Sequence, residues 1–364
     1  MKTLAVLLSL FAGSVLAQGE TSRGPPLHHR SYFYVGGTYV AQGDSSIMAG
    51  AMYVEHLTPQ RVTQPLPLLI VHGNGMTGTN FLNTPDGRSG WADFFLDRGY
   101  ELFIVDQPAR ARSAYQVAVD GAQSTYDTFA IESRFTAVPR YNLWPQAKLH
   151  TQWPGNGSMG DPVFDHFYAS TVPSLSSIKE ATVKMKIAGP PLLDKIGPVI
   201  VLTHSQSGPL GWVLGDSRPD LVKAIIAIEP TGPPFMDVLF PPVTPARPYG
   251  ITEIPVAYHP PLSSADDLVI AVASNSSLFT CLEQAPPVRK LVNLMKIPIL
   301  VVTSESSFHA VYDGCTVNYL KQAGVNVKHL RLEEVGIHGN GHMMFMEKNN
   351  MEVAQVVEKW IAKR

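Results

Sequence analysis

Ser205 stands at the tip of Thr203-His204-Ser205-Gln206-Ser207-Gly208, directly after the short apolar run Val199 to Leu202. That run is β-branched and too short for a helix, so it reads as a buried strand. Pro209 to Leu214 then opens a helix. Strand, sharp turn, serine and helix make the elbow usually spelled G-x-S-x-G. Here Thr203 and Ser207 hold the outer positions, which must be small for strand and helix to approach. Ser207 is the competing nucleophile, but it would put Pro209 at the second small position. An ordinary Ser/Gly loop is the bland alternative.

A serine hydroxyl is a poor nucleophile at neutral pH. It needs a base within hydrogen-bond reach and an anion to steady that base. After such an elbow the acid and then the histidine follow along the chain. Two histidines come late, in His338-Gly339-Asn340-Gly341-His342. His342 is the expected base, because it ends the loop ahead of the closing helix. A metal pair at i, i+4 would need a helix there, which Gly339 and Gly341 disfavour, and no third ligand is evident. No metal and no organic cofactor are expected. Glu305, after the strand before the last, is one candidate acid. Glu229, one strand earlier, is the other, and either could be structural.

His72-Gly73-Asn74-Gly75-Met76-Thr77-Gly78 follows another apolar run, Leu66 to Val71. It formally matches the G-x-G-x-x-G dinucleotide fingerprint. The acidic residue due about 20 positions on is missing from a strand end, since Asp93 falls in a predicted helix over 89–98. A glycine loop whose backbone N–H groups face a developing negative charge is the better reading. Arg110 and Arg112 are read as ties between loops and nearby carboxylates rather than as an anion site.

The elements that must position these groups alternate. Strands are predicted at 32–39, 49–55, 66–71, 101–105, 199–202, 221–228, 297–302 and 325–332, with a closing helix over 344–363. Alternating strands and helices imply an α/β fold, a mostly parallel sheet with helices on both faces. In such sheets chemistry collects at the carboxyl ends of the strands. Asn74, Ser205, Glu229, Glu305 and His342 all fall there. Residues 18–364 read as one domain with insertions at about 114–195 and 231–290. The first insertion, with a helix at 174–185, is too long for a plain connection and is read as a cover over the site.

The chain has 364 residues, 45% hydrophobic and 16% charged, with a formal net charge of -2. Nothing in that balance calls for nucleic acid as a partner. Residues 1–17 carry a basic start, an apolar stretch and Val15-x-Ala17, the pattern of a cleaved signal peptide and hence of a secreted, extracellular protein. No other stretch is long and apolar enough to span a bilayer. Cys281 and Cys315 are the two cysteines. In an oxidising compartment they are expected to pair, with two buried thiols as the alternative. Asn156-Gly157-Ser158 and Asn275-Ser276-Ser277 are glycosylation sequons.

The glycine loop, the elbow and the late histidine, in this order, resemble the α/β-hydrolase superfamily. The wording is similar to that of exported carboxylesterases whose triad acid is a glutamate after the sixth strand. The matching stretches are His72-Gly73, Thr84-Pro85-Asp86-Gly87-Arg88-x-Gly90-Trp91, Ser205-Gln206-Ser207-Gly208, Glu229-Pro230 and Gly339-Asn340-Gly341-His342-Met343-Met344. They span about three-quarters of the chain. The resemblance implies Ser205 as nucleophile, Glu229 as acid, His342 as base, and an oxyanion hole from the N–H groups of Asn74 and Gln206. The chain departs from the pattern at Asn74-Gly75, where the bacterial relative carries paired cysteines. It also departs at Pro108-Ala109, which replaces glycine. The expected activity is hydrolysis of small to medium, uncharged carboxylic esters. The alternatives are a lactonase or other triad-based reaction on a secondary metabolite, and a non-catalytic binding module on the same fold. A homodimer is compatible with either.

Overall fold

The computed structural model describes residue 24 and residues 26–238, 242–275 and 280–364. The expected signal peptide lies outside the described residues, as does the end of the sequon that starts at Asn275. Asn156, which opens the other sequon, is exposed.

Eight strands form one sheet: β1 His28–Gln42, β2 Ser45–Pro59, β3 Leu68–Val71, β4 Leu102–Asp106, β5 Val199–His204, β6 Val222–Ile228, β7 Ile299–Thr303 and β8 Val327–Arg331. Their spatial order is β1-β2-β4-β3-β5-β6-β7-β8. The β1–β2 and β2–β4 pairs are antiparallel, and the remaining pairs are parallel.

Alternation along the parallel strands splits their side chains between two cores. Val199 and Val201 face one side of the sheet, Ile200 and Leu202 the other. The first side is covered by α3 Ile178–Ile196, α4 Gly208–Ser217 and α5 Asp313–Gln322. The second is covered by α1 Trp91–Asp97 and α6 Asn350–Ile361, with α2 Pro162–Ala169 beside them. Parallel strands covered on both faces read as continuous apolar runs, which is why they were legible.

The hairpin β1–β2 is far longer than the predicted 32–39 and 49–55. It closes at Gly43-Asp44 with Gln42 opposite Ser45. Every residue of β1 is exposed or half-buried, so its polar positions are outward-facing residues and not strand ends. The helix predicted over 174–185 instead begins after Ser177, whose side chain caps Glu180 N–H, and runs on through Pro190 and Pro191. Gly189-Pro190-Pro191 looks like a stop. Gly189 is demanded by packing, however: a Cβ there would lie 2.1 Å from Leu214 Cδ2 on α4. The closing helix starts at Asn350, not 344. Residues 343–349 form turns, because Arg88 takes the carbonyls of Met346, Glu347 and Lys348.

Cys281 and Cys315 form a disulfide that ties the strand Thr280–Gln284 to α5. Among the described residues no helix is long and apolar enough to cross a membrane.

Candidate active site

Strand β5 ends at His204 and the chain turns at Ser205, whose φ is +57°. That left-handed conformation is uncommon for a residue with a Cβ, and a surrounding frame must hold it. Three close approaches supply the frame. A Cβ on Gly73 would sit 3.1 Å from Ser205 Cβ, one on Gly211 2.9 Å from Thr203 Cγ2, and one on Gly208 2.3 Å from Pro230 Cβ. Ser205 is half-buried and lines a cavity of about 110 Å³. Ser207 is fully buried, and its hydroxyl is spent. It donates to the carbonyls of Val71 (2.7 Å) and His204 (2.9 Å) and accepts from the His204 N–H. Ser207 therefore locks the elbow and is not a free nucleophile.

His342 lines the same cavity as Ser205. Its Nδ1 donates to Glu229 Oε2 at 2.6 Å, and both side chains are buried. Glu229 follows β6 at φ +44°. Its other partners are the N–H and hydroxyl of Ser304 (2.8 and 2.5 Å) on Oε1 and the Ser307 hydroxyl (2.7 Å) on Oε2. Burial pushes the Glu229 carboxyl up, against the charge of His309 and the Ser304 and Ser307 donors. Burial and then the charge of His309 hold His342 well below an ordinary histidine. Glu305 lies elsewhere: it accepts from Gly339 N–H (2.8 Å) and from the exposed His338 ring (3.1 Å). His338 and His342 thus face different surroundings, and the i, i+4 pair does not converge.

The glycine loop is braced from behind. Gly75 N–H donates to Ser174 Oγ, Thr77 N–H to Asn80 Oδ1 and Gly78 N–H to Asp106 Oδ1. Gly78 opens only a four-residue 3-10 turn, Gly78–Phe81, so the helix that a dinucleotide fingerprint requires is missing. His72 is buried and pushed down to about 4 by burial and by Arg110. As a neutral ring it donates from Nδ1 to Gly73 O and accepts the Gln107 N–H at Nε2. The Gln206 side chain accepts from Gln107 Nε2 at 3.0 Å.

The two arginines differ. Arg112 binds Glu55 on β2 and Asp106 at the end of β4, the tie of its loop to nearby carboxylates that was expected. Among the described residues Arg110 pairs with no carboxylate. It donates to the carbonyls of Gly73 and Met76 and to Asn74 Oδ1, and burial lowers it to about 10. It holds the glycine loop by its own backbone.

Both stretches read as insertions reach the cavity. Tyr126, Ile131, Phe135 and Phe167 come from the first, Gly232 and Asp237 from the second. Sequence reasoning missed three groups. His204, one residue before the elbow serine, donates from Nε2 to the His342 carbonyl at 3.0 Å. Ser304 and Ser307 hold Glu229, as described. His309 stacks on His342 with centroids 4.8 Å apart and ring planes 3° apart. Glu229, His309 and His342 bring ligand-type atoms within 4.8 Å of one another. A cation among them would have to replace the short Nδ1–H···Oε2 bond, so the donor set fits a hydrogen-bonded group better than a metal.

The chain is 50% identical to "Probable secreted lipase phiG" of Fungal sp. (strain ATCC 74256), over the full length of both. It also superposes on a solved structure titled "The Atomic Resolution Structure of a Novel Bacterial Esterase" with a TM-score of 0.61 and 21% identity, over 94% of this chain and 98% of that one. The chain belongs to the α/β-hydrolase superfamily. No family model matches it. The strand order, the serine elbow and the late histidine are those of this α/β hydrolase's fold, and its substrate has to be argued from the cavity.

Proposed function

We propose that this α/β hydrolase is a secreted serine esterase that cleaves carboxylic esters through an acyl-enzyme, with Ser205, His342 and Glu229 as triad. One observation carries the reading: Ser205 and His342 line one cavity while His342 Nδ1 donates to a buried Glu229 at 2.6 Å. In that arrangement Nε2 is the nitrogen left to take the serine proton.

Ser205 Oγ attacks the acyl carbonyl as His342 takes its proton. The oxyanion is held by the backbone N–H groups of Asn74 and Gln206, each worth about 3 kcal/mol of transition-state stabilisation. His342 then hands the proton to the leaving alcohol. Water, activated by the same ring, frees the acid. Glu229 stays ionised throughout and keeps the ring turned. The buried side-chain and backbone ties of Arg110 keep the Asn74 donor aimed. No step needs a metal or an organic cofactor.

The cavity argues for short acyl groups. At about 110 Å³ and lined by Met76, Ile131, Phe135 and Phe167, it is apolar and small. Cavities of about 150 Å³ take up benzene. Export is supported by the leader read in residues 1–17 and by the name of the relative that is 50% identical.

Labelling with a fluorophosphonate tests the nucleophile, because the probe needs an activated serine and no particular ester. The wild type is expected to label, and Ser205→Ala is expected to lose labelling and ester hydrolysis together. Undiminished labelling of Ser205→Ala moves the nucleophile elsewhere. A wild type that never labels makes the fold a binding module. On p-nitrophenyl esters, kcat/KM should fall from acetate and butyrate to palmitate.

A further inference from the structure

Beside the proposed triad lies a second imidazole–carboxylate pair that the reaction above does not use. His309 sits in the turn Phe308–Val311 after β7 and is buried. Its Nδ1 donates to Asp313 Oδ1 at 2.8 Å. Asp313 Oδ2 accepts the Thr303 hydroxyl at 2.7 Å, and Thr303 accepts from His329 Nε2 at 2.9 Å. On its other side His309 Nε2 is 3.2 Å from the Tyr312 hydroxyl. The ring lines the cavity and lies flat against His342.

Asp313 is buried, and among the described residues its one ion-pair partner is His309. A carboxylate taken out of water needs a paired charge or full hydrogen bonding. Burial and the charge of Glu229 push the Asp313 carboxyl up, against the charge and hydrogen bond of His309 and the Thr303 hydroxyl, so the imidazole is the group that can supply the paired charge.

We propose that His309, held cationic by Asp313, is a positioning residue for the base: its charge, stacked on His342, keeps that ring unprotonated into acidic solution. The inference rests on the serine-esterase reading. A base is useful only while neutral, and a like charge at this separation disfavours protonating it. The cost is a weaker base; the gain is activity at lower pH.

Other groups face the pair. Glu229 opposes the effect, because its negative charge favours a protonated His342. From the elbow, His204 is held neutral by burial and by His342, and it donates to the His342 backbone. Behind Asp313, burial lowers His329 to about 4. Arg247 and Asp237 act on Tyr312 from the second insertion with opposite signs. Phe135 and Phe308 flank His342 with apolar rings. His309 is the charge closest to the face of the base. Burial alone would lower it, but Asp313, by charge and hydrogen bond, and Glu229 together raise it.

The test is the acid limb of kcat/KM against pH on a short p-nitrophenyl ester, which reports the free enzyme's base. His309→Gln is expected to move that limb up by roughly one unit. At a pH on the wild-type limb this is about a ten-fold loss relative to the variant's own plateau. The single variant leaves a lone buried carboxylate, so His309→Gln with Asp313→Asn is run beside it. Its limb should also lie above the wild type. A limb at the wild-type position in both variants overturns the proposal. If neither folds, nitrogen NMR of the wild type's histidines decides. Two protonated ring nitrogens at His309 at neutral pH support the proposal, and a neutral ring overturns it. Ser205→Ala is assayed alongside. Retained hydrolysis there sinks the esterase reading itself, whereas lost hydrolysis with an unmoved limb sinks only the role of His309.

Discussion

Two glutamates close neighbouring strands of the sheet, and each meets a histidine of the same loop. Glu229 follows β6 and accepts from His342 at 2.6 Å, with neither side chain more than 2% exposed. Glu305 follows β7 and meets His338 at 3.1 Å, where the two side chains are 21% and 62% exposed. The sequence makes the two pairs look alike. Surroundings separate them. Glu229 is out of water and surrounded by the hydroxyls of Ser304 and Ser307, so its charge has few competitors for the imidazole. Glu305 shares its attraction with solvent and spends one oxygen on Gly339 N–H. The first arrangement can steady a developing imidazolium. The second is a clip on a loop, and exposed clips are worth about 0–1 kcal/mol.

The largest test of that contrast is kinetic. Glu229→Gln keeps the shape of the side chain but removes the charge that holds the His342 tautomer. In a Ser-His-Asp triad, replacing the carboxylate by its amide costs about 10⁴-fold in kcat. A loss of about 10³–10⁴-fold is expected here, with the fold intact by circular dichroism. A loss below ten-fold would mean that the acid is another residue.

A third His–Glu pair sharpens the comparison from the side of stability. Glu347 accepts from His150 Nε2 at 2.6 Å, from Asn340 Nδ2 at 2.8 Å and from Gly341 N–H at 3.0 Å. It is as buried as Glu229, but its histidine, His150, does not line the cavity that His342 lines. It anchors the turn just before His342. Glu347→Gln turns an amide NH₂ toward these donors and leaves some of them without an acceptor. Each buried group so orphaned costs about 1–3 kcal/mol. The expected loss is about 2–4 kcal/mol in urea unfolding. Unchanged stability would show that the loop finds its place without this carboxylate.

How far the sequence reached follows the same physics. Buried parallel strands announce themselves as apolar runs, so the middle of the sheet was readable nearly to the residue. The β1–β2 hairpin was read short, because its outward positions are polar and look like loop. Helix α3 was read as ending at Met185, whereas it runs on through Gly189-Pro190-Pro191 to Ile196, packed against α4 at Leu214. Ser205 and His342 stand out because an elbow and a glycine-flanked histidine are local patterns. By position Glu305, after the strand before the last, holds the commonest place for the acid, and resemblance alone favoured Glu229. His309 carries no motif. Its only trace is an aspartate four residues on, a spacing that any helical turn can produce.

The smallest effect belongs to the exposed pair, and it is the one that isolates the comparison. Glu305→Gln leaves an oxygen for Gly339 N–H and removes only a charge that solvent already screens. The loss of stability should stay within about 0.5 kcal/mol, and kcat/KM within a few-fold of wild type. The measurement is the same urea titration and ester assay run on Glu229→Gln. If the two substitutions were to exchange ranks, burial would be the wrong criterion. The acid would then be Glu305, reaching His342 only after the 338–342 loop has moved. If both were mild, neither pair would support an imidazolium, and the short bond at Glu229 would be a packing device like the one at Glu347.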